Sequence, residues 1–91
     1  MDPENGQYLP YEQAKRMVGA VMEEEHIHEH NRRVLTVYDT SERELCWFDA
    51  GDIMAEMAAS EGGIPRGEDD MKAKAVELIL RQLPKWVAGE E

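Results

Sequence analysis

Apolar residues recur at helical spacing from Tyr11 onward. At about 100° per residue, Tyr11, Ala14, Met17, Val18, Val21 and Met22 share one face, and Lys15, Arg16, Glu23 and Glu24 fall elsewhere. Pro10 suits a first helical turn, and Asn31 tolerates the left-handed cap conformation that ends helices. The spacing therefore predicts a first helix from residue 10 to about 28. The pattern then changes. Val34-Leu35-Thr36-Val37-Tyr38 and Leu45-Cys46-Trp47-Phe48 are β-branched and aromatic runs, separated by the polar Asp-Thr-Ser-Glu-Arg turn. A loop centred on Ser41 and Glu42 places Val37 opposite Cys46, Leu35 opposite Phe48, Thr36 opposite Trp47 and Tyr38 opposite Leu45. Both faces of this hairpin are then apolar, and a two-stranded ribbon needs covering to be stable.

Helical spacing returns after the hairpin. Asp49 reads as an N-cap with Asp52 near the positive end of the dipole. The helix that follows runs from residue 50 to about 60, burying Ile53, Met54, Met57 and Ala58, and Gly62-Gly63 ends it. A third helix, capped by Asp69 or Asp70, runs to about Leu83. It carries Ala75, Val76, Ile79, Leu80 and Leu83 on a wide apolar stripe, with Met71 and Leu78 at its margin. Pro84 disfavours helix at Leu83, although Lys85-Trp86-Val87 suits one further turn. The expected architecture is a small single α+β domain of order α-β-β-α-α, with one antiparallel hairpin packed against three helices. Turn signals in MDPENGQYLP make residues 1–9 a loosely ordered arm, with Tyr8 and Leu9 as its anchor. Residues 10–88 form the domain and 89–91 a frayed tail.

Length limits what such a domain encloses. A chain of 91 residues buries only about 60–65% of the surface its unfolded form exposes, so the core is small and a second copy would add burial. A homodimer is accordingly among the expected assemblies. Hydrophobic residues make up 42% and charged residues 33%, a globular composition. One cysteine excludes an intramolecular disulfide. With no apolar run long enough for a signal peptide or a membrane span, the expected compartment is the cytoplasm.

Charge adds a partner class. Twenty acids against ten bases give a net charge of −10. Residues 1–31 hold seven acids and two bases, residues 32–50 four and three, and residues 51–91 nine and five. Such a surface repels nucleic acid and anionic lipid and attracts basic protein surfaces.

The stretch EHIHEH contains all three histidines of the chain. On a helix, His26 and His30 are spaced i, i+4, the two-point imidazole chelate used for zinc, copper or nickel, and Glu23 lies one turn before His26. His28 falls at the edge of the apolar stripe, and the chain supplies no further histidine to close a four-ligand site. A solvated, titratable helix end is the plainer interpretation, with His26 and His30 as weak metal or pH-sensing candidates. No cofactor is expected. Cys46 reads as a small buried hydrophobe, because neither a base nor a positive field accompanies it. The chain has no glycine-rich phosphate loop, no Gly-x-Ser-x-Gly and no Cys-x-x-Cys pair, so nothing points to an enzyme. The second and third helices invite comparison with a helix-turn-helix. Their connection, residues 62–68, is longer than the usual turn, and the would-be recognition helix opens with Glu68-Asp69-Asp70. Arg32, Arg33 and Arg43 are the residues from which a local basic edge would be built.

These observations converge on a non-enzymatic protein-interaction domain of inhibitor, immunity or nucleic-acid-mimic type. Its expected partner is a protein with a basic surface, with no direct nucleic acid and no membrane. Glu23, Glu24, Glu25, Glu68, Asp69 and Asp70 are its expected partner-binding carboxylates, and Trp47 its aromatic anchor. A DNA-associated regulatory dimer and a metal- or pH-responsive module built on His26 and His30 are the alternative readings.

Overall fold

In the computed structural model, which describes residues 8–89, the chain is an α+β domain built on a three-stranded antiparallel meander. Helix α1 spans Tyr11–Met17, and strands β1, β2 and β3 span Val18–Glu25, Arg33–Asp39 and Glu44–Asp49. Helices α2 and α3 span Ala50–Ala59 and Glu68–Arg81, and a 3-10 turn covers Lys85–Ala88. The order is thus α-β-β-β-α-α, with one strand more than the periodicity predicts.

The extra strand replaces most of the expected first helix. Helix α1 stops at Met17, and the next eight residues pair with β2, from Val18 opposite Asp39 to Glu25 opposite Arg33. The burial along β1 has the period of a strand: Val21 is buried while its neighbour Met22 is 48% exposed. A helical stripe would have buried both. Gly19 marks the change. The register slips between Val18 and Ala20, and a Cβ on Gly19 would lie 2.5 Å from the carbonyl oxygen of Asp39. Helix propensity in Ala-Val-Met-Glu-Glu-Glu is overridden because β2, apolar on both faces, gains a second pairing edge.

The predicted β2–β3 register holds for Leu35–Phe48, Thr36–Trp47 and Val37–Cys46. It fails at Tyr38, which pairs with Glu44 across a bulge, and Leu45 packs with the core instead. The turn explains the slip. Asp39 Oδ1 accepts the amides of Ser41 and Arg43, and Glu42 sits in the left-handed region at φ 66°. That connection, Thr40 to Arg43, leads into a bulge with one extra residue on the β3 side.

One face of the sheet is covered. Val21, Val37 and Cys46 lie in one row across the three strands and pack with Ala14, Ile53, Met57, Ile79, Leu80 and Leu83 in the core. Asp49 caps α2 as expected, its Oδ1 accepting the amides of Gly51 and Asp52. Met54 and Ala58, expected in the core, are exposed. Helix α3 begins one turn earlier than its acids suggest, with Gly67 at the N-cap and Glu68, Asp69 and Asp70 together in the first turn, and it ends at Arg81 rather than Leu83. Lys74 ties down the loop before it through the carbonyls of Glu61 and Gly63. The expected anchor at the start of the domain is present. Leu9 is buried and its amide donates to the Leu83 carbonyl at 2.8 Å, with Tyr8 bridged to Pro84. The rest of the expected arm, residues 1–7, and the last two tail residues lie outside the described residues.

Candidate functional site

The second face of the sheet is built from the residues between those of the core. Met22, Thr36 and Trp47 form its central row, Glu24, Val34 and Asp49 the row on one side, and Ala20, Tyr38 and Glu44 the row on the other. Among the described residues, the helical core packs on the Val37 side, and Trp47, Tyr38 and Met22 have no part in it. Thr36 and Val34 on the middle strand are still buried, because the larger side chains on the flanking strands shade them. Trp47 on the edge strand keeps 45% of its surface exposed. Among the described residues, neither α3 nor the 3-10 turn after it packs Trp47, Tyr38 or Met22 into the core.

Trp47 is exposed but fixed. Arg32 lies over its ring at 5.2 Å, and the His26 ring meets it edge-on with centroids 5.3 Å apart. Both neighbours are themselves held. Arg32 Nε donates to Asp49 Oδ2 at 2.7 Å, and its Nη1 to Glu29 Oε2 at 2.8 Å. His26 Nδ1 accepts the amides of His28 and Glu29 at 3.1 and 3.2 Å, so a neutral ring carries its proton on Nε2. Across the sheet, the Tyr38 hydroxyl donates to the Glu24 carboxylate at 2.9 Å.

The electrostatics follow from these pairs. Hydrogen bonds from Arg32 hold the carboxyls of both Asp49 and Glu29 below their ordinary values. The bond to Glu24 pushes the Tyr38 phenol above its own. Burial drives the Cys46 thiol, on the covered face, up to about 11, so it is not an activated nucleophile.

EHIHEH is therefore no helix end. Glu25 ends β1 and His26 to His30 begin the β1–β2 connection, which is closed by the His26 amide donating to the Arg32 carbonyl at 2.7 Å. The i, i+4 geometry for His26 and His30 does not exist, and His28 flanks no helical stripe. His26 faces Trp47, whereas His30 Nδ1 lies 3.4 Å from Glu25. Among the described residues, no group of three or more His, Cys, Asp or Glu side chains is placed to hold a metal ion. Ile27, at the tip, is 83% exposed.

The expected partner-binding carboxylates divide. Glu24 joins Trp47 on the open face. Glu23 points to the helix side, where it pairs with Arg33 at 3.2 Å and shares with Glu68 the lining of a groove between β1 and the helices. Asp69 and Asp70 continue that side in the first turn of α3. Glu25 sits at the strand end beside His30. Three acids outside the expected partner-binding set also border the open face, Glu44 and Asp49 on β3 and Glu29 in the β1–β2 connection. Their signal was the two-faced hairpin itself, which left Tyr38 and Trp47 in need of a cover. Arg32, Arg33 and Arg43 make no basic edge, since each is paired with a carboxylate.

Compared with protein-family models, curated proteins and solved structures, the chain matches none. Among the described residues, no helix is long and apolar enough to cross a membrane.

Proposed function

We propose that this chain is a non-enzymatic protein-interaction domain that takes a basic segment of a partner protein on the open face of its sheet. The single observation that supports this reading is a half-exposed tryptophan locked between a histidine and an arginine on a bare sheet face. An aromatic side chain already held in place loses little rotamer freedom on binding, which is the property of an interface anchor. Around it, Glu24, Glu29, Glu44 and Asp49 outnumber Arg32, so the rim attracts lysine and arginine. Trp86, 61% exposed, has no ring or cation packed on it among the described residues and is the weaker anchor. Where the partner's basic surface normally holds nucleic acid, the same contact occludes it, which is how an inhibitor or immunity-type protein works.

Calorimetry with an arginine-rich oligopeptide tests the proposal. Binding weakens as salt is raised. Trp47→Ala loses about 2 kcal/mol or more of affinity, and Glu24→Gln less. Salt-independent binding, or affinity unchanged in Trp47→Ala, contradicts it.

A further inference from the structure

The free edge of β1 offers a second surface, distinct from the open face. Among the described residues, strand order β1-β2-β3 leaves β1 unpaired on its outer side, and alternate residues of an edge strand direct their amide and carbonyl groups outward. From Ala20 to Glu25 its pairing with β2 is regular, with no bulge to interrupt the outward-facing backbone groups. Beside this edge runs a groove of about 450 Å³, lined by the first five residues of β1, Val18 to Met22, together with Lys15, Lys72, Val76 and Leu80. In a chain of net charge −10, the charged residues lining this groove are, among the described residues, two lysines and no acid, and Lys72 also borders the neighbouring groove that Glu23 and Glu68 line. Among the described residues, neither lysine forms an ion pair. The groove therefore suits a strand that brings carboxylates to one side.

β1 is itself such a strand. Its first half, Val-Gly-Ala-Val-Met, carries no charge, and its second half is Glu23-Glu24-Glu25. Parallel self-pairing would stack the two acidic halves on one another. Antiparallel pairing centred on Met22 sets Glu23 of one copy opposite Val21 of the other, Glu24 opposite Ala20, and Glu25 opposite Gly19. Residues directly opposite in an antiparallel pair share a face. Glu23, which pairs with Arg33 in the single chain, then projects on the side of Val21, toward Lys72 of the other copy, while Glu25 comes level with the bulge at Gly19 and with Lys15 beside it. Met22, 48% exposed in one chain, meets its own counterpart on the opposite side. We infer that a second copy of this chain adds to the β1 edge antiparallel about Met22, making a continuous six-stranded sheet closed by Glu23–Lys72 and Glu25–Lys15 pairs. The interface is isologous, so each charge complement occurs twice.

Sedimentation equilibrium at physiological salt, where the Debye length of about 8 Å screens the remaining like charges, tests the assembly. The wild type sediments at twice the mass of one chain. Lys15→Glu/Lys72→Glu, checked for native circular dichroism, weakens the dimer about tenfold or more. Adding Glu23→Lys/Glu25→Lys to that variant restores it, because the pairs are re-formed with reversed sign. Trp47→Ala on the open face leaves the dimer intact. A monomeric wild type, failure of the swap to restore association, or dissociation by Trp47→Ala overturns the inference.

Discussion

The two faces of β2 sit one residue apart and are stabilised by different physics. On one, Val37 is fully buried between Val21 and Cys46 under the helices, and shape complementarity among apolar side chains holds it. On the other, Thr36 lies between Met22 and a half-exposed Trp47, and directed polar contacts hold the surface in place: Arg32 to Asp49 and Glu29, His26 to two amides, Tyr38 to Glu24. The covered face supplies the stability of the domain. The open face spends hydrogen bonds on fixing a tryptophan that a minimal fold would not need fixed. Preorganisation of this kind lowers the ordering cost of any contact made there, and that is the support for the proposed function.

Breaking the covered face has the largest effect. Ile79→Ala, at a fully buried position, destabilises the domain by about 2–5 kcal/mol in urea denaturation. Truncating Trp47 sharpens the contrast, because the surface it removes is already half in water. Its unfolding cost stays near 1 kcal/mol, while affinity for a basic peptide falls by about 2 kcal/mol or more, as compared by denaturation and calorimetry on one sample. Gly19→Ala strikes the hinge that lets α1 pass into β1. With its Cβ 2.5 Å from the Asp39 carbonyl oxygen, the strand must shift, and the midpoint falls by an amount equivalent to roughly 1–3 kcal/mol. Glu42→Gly relieves the left-handed residue of the β2–β3 turn and stabilises by about 0.5–1 kcal/mol without touching either face.

Acid distinguishes the faces most gently. The Arg32 hydrogen bonds lower Asp49 and Glu29 in the folded state. In the β2–β3 turn, the Arg43 amide is the main cause that lowers Asp39. A carboxyl depressed on folding contributes stability that is fully present above its unfolded value near 4 and is lost as pH falls through the folded value. The order around Trp47 therefore loosens below about pH 4, while the apolar face keeps its packing. Tryptophan fluorescence against pH follows this, and Asp49→Asn, which keeps the α2 cap acceptor, flattens the profile.

Legibility in the sequence followed the same division. The hairpin register, the Asp49 cap and the stripe of α3 are local signals, and they identified Val37, Cys46, Ile53, Met57, Ile79 and Leu83 as core. β1 was not legible, because Ala-Val-Met-Glu-Glu-Glu satisfies a helical wheel as well as a strand, and only pairing with β2 decides between them. Gly19 carried the missing hint: a glycine inside a helix costs about 1 kcal/mol, whereas at a bulge it lets two backbones meet. Once β1 is a strand, EHIHEH becomes a connection and His26 swings to Trp47. The metal-chelate geometry dissolves with the helix that implied it. That Trp47 shares the second hairpin face with Tyr38 was legible; its clamp of Arg32 and His26 was not, since both neighbours depend on the fold of a connection that the missed strand sets.

The chain's two tryptophans supply the most direct test of the open face. Their indole Nε1–H resonances report separately on Trp47, clamped at 45% exposure, and Trp86, unclamped at 61%. On titration with an arginine-rich oligopeptide at moderate salt, the Trp47 resonance shifts in a saturable way and the more exposed Trp86 resonance stays in place. A shift confined to Trp86, or no shift in either while Glu68, Asp69 and Asp70 respond, contradicts the account.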